Sequence, residues 1–178
     1  MSRLTLKEAV RTSILSKKWK QLWKCYPKLV FTRCTMRKLG HQKPMRTRFI
    51  RGINSVLRQL KSTILCKFVV KFGLRERHRH HINRWVKFSA VLRTKHVVFD
   101  FCPGPKGSTD TDDRYSFPLD MFNASGGSYV KHLRLGFVSL TLPSDISGFK
   151  HLKKLYLHKV IITGNFGAYY QNALFLSG

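Results

Sequence analysis

Four segments of the chain carry the same apolar phrase, and this repetition constrains the fold more than any other feature. In each segment, apolar residues recur at every second position, and a further residue stands three positions before the first of them. The four phrases begin at Leu65, Thr94, Val130 and Leu152. An alternation of period two is typical of a short β-strand that turns one row of side chains toward a core. The sequence therefore predicts four similar strands.

The spacing of the phrases indicates stacked repeats. Their starts are 29, 36 and 22 residues apart, against a period of roughly 20 to 29 residues in leucine-rich repeats. In such repeats each strand shares its core with the next one. An insertion over residues 102–118, which holds three of the eight acidic residues, explains the long interval. The alternative is a set of ordinary strands in an unrelated α/β domain.

Two helices are predicted between these strands. Apolar residues recur at helical spacing over residues 47–61, with Phe49, Ile53 and Leu57 on one face. A second helix is predicted over residues 82–92, where Ile82, Trp85, Val86 and Leu92 share a buried side. Residues 32–48, with Gly40 and Pro44, show no periodicity and are interpreted as a basic linker.

The N-terminal segment has an apolar stripe at the i, i+3, i+4 spacing of helices. The stripe comprises Leu6, Ala9, Val10, Ile14, Leu15, Trp19, Leu22 and Trp23. Lysine and arginine occupy the opposite side, and Pro27 closes the segment. Leu29 to Phe31 then forms a short extended exit.

The run from Leu6 to Trp23, continuing to Phe31, resembles the second half of a plant F-box. The Lys-Glu-Ala-Val-Arg-Thr-Ser, Leu-Ser-Lys-Lys-Trp and Leu-Trp motifs carry the resemblance. Further along, the Ile-x-x-Trp-Val helix and the Leu-Pro before a Phe-x-x-Leu-x-x-Leu-x-Leu repeat are similar to plant F-box proteins of the leucine-rich-repeat and FBD type. The resemblance implies an α/β fold, with an N-terminal helical F-box remnant followed by an incomplete leucine-rich-repeat solenoid.

The resemblance also implies an organisation and a function. Residues 1–31 correspond to a partial F-box whose first helix is missing, 32–48 to the linker, and 49–178 to the repeats. The chain is expected to be a family member truncated at both ends. A protein of this family is a non-catalytic subunit of a ubiquitin ligase and needs no cofactor. Its F-box docks on the Skp adaptor and its repeats select a target protein, so the eight stripe residues are the expected adaptor-facing or F-box core positions.

The charge distribution supports a second hypothesis. The net charge is +26, and residues 1–99 hold 26 basic and only 2 acidic side chains. A surface of this kind attracts nucleic acid through counterion release. The three tryptophans lie on apolar helix sides, however, which favours core packing over base stacking. A basic surface also suits an acidic protein partner, so the charge alone does not separate the two hypotheses.

Other candidate chemistry is weak. His78, His80 and His81 are close in sequence, but arginines between them disfavour a metal ion, and a polar helix entry is the simpler interpretation. Asp110, Asp112 and Asp113 lack the pattern of a calcium loop. The spacing of the four cysteines predicts reduced thiols. No apolar run approaches the length of a membrane span and no signal peptide is evident, so nucleus or cytoplasm is the expected location.

Overall fold

A computed structural model describes residues 28–35, 45–62, 64–103, 113–124, 129–142 and 149–163. Within these ranges the chain alternates strands and helices. In chain order the elements are β1 (Lys28–Thr32), α1 (Met45–Gln59), β2 (Lys67–Lys71), a 3-10 turn (Glu76–His78), α2 (Arg79–Val91), β3 (His96–Asp100), β4 (Tyr115–Phe117), α3 (Asp120–Ala124), β5 (His132–Gly136), β6 (Val138–Thr141), β7 (Lys154–His158) and β8 (Ile161–Thr163).

The strands form two parallel sheets. The larger sheet has the order β1-β2-β3-β5-β7, and the smaller has the order β4-β6-β8. Each new strand of the larger sheet therefore lies beside the one that precedes it in that sheet. Parallel neighbours require a crossover between them. Helices α1 and α2 lie between the first strands in chain order, and the short strands of the second sheet lie between the later ones.

Two rows of apolar side chains line the inner face of the larger sheet. The strand register aligns Leu29, Phe68, Val97, Leu133 and Leu155 in one row, and Phe31, Val70, Phe99, Leu135 and Leu157 in the other. The first four members of each row are buried, whereas Leu155 and Leu157 on the edge strand β7 are 45% and 41% exposed. The alternating phrases of the sequence are thus the inward positions of the sheet, and the predicted strands are confirmed.

Helices α1 and α2 cover this inner face. Helix α1 buries Phe49 and Ile53, as its apolar spacing predicted. The ring of Phe49 stacks on Phe72 at a centroid distance of 4.3 Å. The fully buried Trp85 of α2 donates a hydrogen bond from its indole nitrogen to the Asn54 side chain of α1, over 2.8 Å. Both predicted helices are confirmed, and each begins two to three residues earlier than expected.

The insertion over residues 102–118 contributes a strand that the sequence did not predict. Strand β4 pairs with β6, aligning Tyr115 with Val138 and Phe117 with Leu140. Both aromatic rings are buried. The ring centroid of Tyr115 lies 5.7 Å from that of Phe101, and the ring centroid of Phe117 lies 5.6 Å from that of Phe99. The segment therefore extends the core. Its residues 104–112 lie outside the described ranges.

Strand β1 gives the extended exit at Leu29 to Phe31 a structural role. It pairs in parallel with β2 over its whole length, and Leu29 and Phe31 are buried. The sequence predicted an extended segment here without a partner strand. Of the 32–48 linker, residues 36–44 lie outside the described ranges, and helix α1 already begins at Met45.

A sharp corner recurs where strands of the larger sheet lead into the smaller one. Phe137, between β5 and β6, has φ 56°, and Lys159, at the corresponding place after β7, has φ 51°. The two corners are stacked, since the Phe137 amide donates to the His158 carbonyl over 2.9 Å. A positive φ is uncommon for residues other than glycine. Its recurrence at equivalent positions shows that the β5-β6 and β7-β8 units share one local geometry.

Candidate partner-binding surface

The outer face of the five-stranded sheet presents side chains in register across the strands. Because side chains alternate along a strand, the positions between the buried rows point away from the core. Three outer rows result, which are Lys28, Lys67, His96, His132 and Lys154; Val30, Val69, Val98, Arg134 and Tyr156; and Thr32, Lys71, Asp100, Gly136 and His158. These rows lie opposite the helices, which pack on the inner face.

The first of these rows is basic at every position and is called the cationic row below. It comprises Lys28, Lys67, His96, His132 and Lys154, with one residue from each strand. Its three lysines are exposed, and its two histidines are partly buried. Neighbouring strands lie about 4.8 Å apart, so the row brings five basic side chains into a continuous line.

More lysines stand directly before the strands. Lys95, Lys131 and Lys153 immediately precede β3, β5 and β7, and all three are exposed. The backbone joins them, because the Lys131 amide donates to the Lys95 carbonyl and the Lys153 amide to the Lys131 carbonyl, both over 2.8 Å. The basic character of the row thus extends past the beginning of the sheet.

No carboxylate in the described ranges pairs with these lysines. Within the described ranges, an ion pair joins Arg79, the first residue of helix α2, to Glu76 in the 3-10 turn, over 3.3 Å. Asp100 belongs to the same strand as His96 but lies four residues further along, at the opposite end. The positive charge at this end of the sheet is therefore not neutralised by the described acidic side chains.

Two histidines at the centre of the cationic row stack on each other. The rings of His96 and His132 are 4.4 Å apart between centroids and nearly parallel, with an interplanar angle of 3°. Burial, and then the neighbouring His132 and Lys67, hold the pKa of His96 below its ordinary value of 6.5. The Nδ1 atom of His132 is buried and has no hydrogen-bond partner among the described residues. The charge of this surface therefore depends on pH at His96, because a proton added to its ring makes the row more positive.

The histidines singled out in the sequence occupy a different place. His78 ends the 3-10 turn, and its Nδ1 atom receives the Arg75 amide over 3.1 Å. His80 and His81 begin helix α2 with ring centroids 3.7 Å apart. Across the described part of the chain, no three His, Cys, Asp or Glu side chains are grouped in a way that could hold a metal ion. The 3-10 turn and the first residues of α2 follow β2 in the chain and lead into the helices that cover the sheet.

The thiol of Cys102, two residues after β3, is a weaker acid than an ordinary cysteine thiol. Burial, together with the nearby Asp100, raises the pKa of Cys102 to about 11. The Asp100 carboxylate also accepts a hydrogen bond from the Cys102 amide over 3.2 Å. Since the thiolate is the reactive form of cysteine, this thiol is poorly suited to nucleophilic chemistry at neutral pH.

The predicted F-box positions, Leu6, Ala9, Val10, Ile14, Leu15, Trp19, Leu22 and Trp23, all lie outside the described residues. Asp110 and Asp112 of the predicted acidic turn do so as well, whereas Asp113 is described and its carbonyl accepts the Glu76 amide. The cationic row was not among the predicted sites. Among the described helices, none combines the length and apolar character that crossing a bilayer requires.

Sequence comparison finds relatives among plant proteins. An F-box/FBD/LRR-repeat protein of Arabidopsis thaliana is 26% identical over 162 residues, which cover 91% of this chain and 36% of the relative. A second Arabidopsis protein of that description is 25% identical over 160 residues, covering 90% of this chain and 34% of the relative. An Arabidopsis F-box protein is 32% identical over 104 residues, covering 53% of this chain and 20% of the relative.

The chain spans about a third of the length of the first two of these relatives. No family model matches the chain, and no solved structure matches it either. The fold defines a mixed α/β protein with parallel sheets. By sequence, the chain is similar to plant F-box/FBD-type proteins, and the resemblance that the motifs predicted is confirmed.

Proposed function

We propose that this protein is a non-catalytic substrate-recognition subunit of a Skp, cullin and F-box ubiquitin ligase. The proposal depends on one observation, the similarity to Arabidopsis F-box/FBD/LRR-repeat proteins over 91% of the chain. A match of that extent leaves at most 16 residues unmatched. It therefore includes Trp19 and Trp23 together with every strand of the larger sheet.

The proposed adaptor-binding part is residues 1–31. In this proposal the stripe Leu6, Ala9, Val10, Ile14, Leu15, Trp19, Leu22 and Trp23 forms the F-box core and the surface that meets the Skp adaptor. An apolar helical stripe gains stability when a second polypeptide covers it. Residues 32–48 would be the linker to helix α1, and the last residues of the first part, Lys28 to Phe31, also belong to strand β1 of the larger sheet.

The proposed target-binding part is a leucine-rich-repeat solenoid over residues 49–178. Three features support it. The strands of the larger sheet lie side by side in the order in which they occur in the chain, two apolar rows continue across them, and the same corner recurs at Phe137 and Lys159. In a solenoid each repeat contacts only its neighbours, and the outer residues are free to specialise for binding. Strand β1 would add one strand before the first predicted repeat.

The proposed activity requires no covalent chemistry from this chain. A subunit that holds the adaptor at one end and a target protein at the other raises the local concentration of the target near the ligase. Such a subunit needs no cofactor. The proposed location is the nucleus or the cytoplasm.

Capture of a purified Skp adaptor by the full chain at physiological ionic strength tests the proposal. The variant Leu15→Asp with Trp19→Ala changes the apolar stripe, and Lys17→Ala with Lys18→Ala is the matched control on the basic side. We expect the wild type and the control to retain the adaptor and the stripe variant to lose it. Absence of capture by the wild type, or equal capture by all three proteins, would contradict the proposal.

The thermal unfolding of each variant separates docking from folding. A stripe substitution that removes adaptor contacts alone should leave the main unfolding transition within about a few degrees of wild type. A stripe variant that loses both the adaptor and this transition would not count as support.

A further inference from the structure

We propose that the cationic row binds an acidic segment of the target polypeptide, and that His96, stacked on His132, makes this binding tighter as the pH falls. The proposal rests on the proposed function only in taking the bound polypeptide to be the target of the ligase. The acidic character of the ligand is argued from the surface itself.

The spacing of the row suits an extended peptide that crosses the strands. Five strands at about 4.8 Å per step give a row of roughly 19 Å. An extended peptide places alternate side chains on one face about 6.7 Å apart. A segment with about four acidic side chains at alternate positions spans about 20 Å and would therefore match the row from Lys28 to Lys154.

The charged side chains of the row are accessible to a ligand. Its lysines are exposed, and no described carboxylate pairs with them. An acidic partner would thus form ion pairs without first breaking existing ones. Lys95 and Lys131, at the start of the sheet, add to the positive potential that steers an anionic partner to this end.

The neighbouring row favours a polypeptide over a nucleic acid. Beside the cationic row run Val30, Val69 and Val98, of which the first and last are partly exposed. Aliphatic side chains offer contact to the apolar residues of a peptide. Single-stranded nucleic acids are bound mainly by aromatic stacking platforms, and Tyr156 is the one aromatic residue, histidines aside, in the three outer rows.

His96 links binding to pH. The groups that act on His96 are Lys67 from β2, His132 from β5, and Lys95 and Lys131 before β3 and β5. All of these are basic, and with burial they keep the pKa of His96 below 6.5. A carboxylate in this position would counter that repulsion and raise the pKa of His96 in the complex. Binding then takes up protons, so the affinity increases as the pH falls.

Fluorescence anisotropy with the full chain tests the ligand class. The probe is a labelled twelve-residue peptide of alternating Glu and Ser, and the neutral control peptide alternates Gln and Ser. A twelve-nucleotide oligothymidine at the same ionic strength represents nucleic acid. We expect the acidic peptide to bind at least about tenfold more tightly than either comparison ligand. Equal binding of the acidic and neutral peptides, or tighter binding of the oligonucleotide, would overturn the proposal.

Matched variants test the position of the site. Lys67→Glu with Lys131→Glu reverses two charges at the cationic end of the sheet. Arg51→Glu with Lys87→Glu makes the same change in net charge on exposed positions of α1 and α2, in the helix layer. We expect about a tenfold or greater loss of peptide affinity in the first variant and less than threefold in the second. Equal losses would show diffuse attraction to a basic protein and would overturn the proposal.

The pH dependence tests the histidines. Between about pH 7.5 and pH 6, the glutamates of the probe stay ionised and histidine titrates. We expect the wild type to bind more tightly at the lower pH and the His96→Asn, His132→Asn variant to show a smaller change. An unchanged pH dependence in the variant would remove the histidines from the proposal. These binding assays involve no adaptor, so their failure is distinguishable from a failure of Skp capture.

Discussion

Trp85 and Asn54 join the two helices that cover the sheet, through a hydrogen bond of 2.8 Å from the indole nitrogen to the amide oxygen. Trp85 is fully buried, so its N–H group has no access to water. The other end of the Asn54 amide lies 3.4 Å from His81, also on α2. A polar contact inside an otherwise apolar interface fixes the placement of α2 against α1.

The first prediction concerns this bond. Asn54→Ala should lower the free energy of unfolding by roughly 1 to 3 kcal/mol, because a buried donor is left without an acceptor. Urea denaturation measures the loss. A double-mutant cycle with Trp85→Phe is the control, since it cancels the cavity that the smaller ring creates. The absence of coupling between the two substitutions would show that the bond contributes nothing to stability.

The second prediction concerns Gly136 at the end of β5. A Cβ atom built there would lie 2.6 Å from the Asp100 Oδ1 atom and 3.0 Å from its Cγ atom. Gly136→Ala must therefore displace a carboxylate that accepts the Cys102 amide. We expect a loss of about 1 to 2 kcal/mol in unfolding free energy. The same substitution in an Asp100→Ala background should cost less than half as much, and an equal cost would refute this explanation.

The third prediction is a gain in stability at Thr94. This residue is fully buried, and its hydroxyl has no hydrogen-bond partner within the part of the chain that the structure describes. Thr94→Val replaces the hydroxyl by a methyl group of similar shape and should raise stability by about 1 kcal/mol. The matched change Thr94→Ser keeps the hydroxyl and removes a methyl group, so it should be destabilising. Thermal melting compares the three proteins, and a lower melting temperature for the valine variant would contradict the prediction.

The inner rows of the sheet were predictable because burial of one face imposes a period of two on the sequence. Phe68, Val97 and Leu133 are recognisable for this reason. Strand β4 was not predicted, because Tyr115 to Phe117 is too short to show that period inside a polar insertion. Tyr26, Leu29 and Phe31 have the spacing of the repeat phrases, but the segment was interpreted as the exit of the F-box-like run, so its pairing with β2 was not predicted.

The sequence did not predict the cationic row, for a different reason. His96 and His132 are 36 residues apart in the chain and become neighbours only through the register of β3 and β5. The sequence shows that the chain is basic, but the set of side chains that shares one face depends on pairings between distant strands. Net charge therefore predicted an anionic partner in general, and the strand register localises the surface.

The last prediction concerns the pH dependence of stability. Burial is the largest influence on His78 and holds its pKa below 6.5, although the Arg75 carbonyl acts in the opposite direction. Burial likewise lowers the pKa of His81 and of His96. A base whose pKa is lower in the folded state binds protons more readily when unfolded. Its contribution to stability is therefore complete above about pH 6.5 and is lost as the pH falls below that value.

Denaturant unfolding at about pH 7.5 and pH 5.5 measures this loss. We expect the wild type to be less stable at the lower pH. In the wild type, the Arg75 amide donates to the Nδ1 atom of His78 over 3.1 Å. His78→Asn keeps an acceptor for this amide, but the asparagine side chain does not titrate. Its stability should therefore decrease less on acidification than that of the wild type. His151→Asn, at an exposed position, is the control and should behave as the wild type does. If the His78 and His151 variants lose stability equally, His78 does not contribute to the pH dependence.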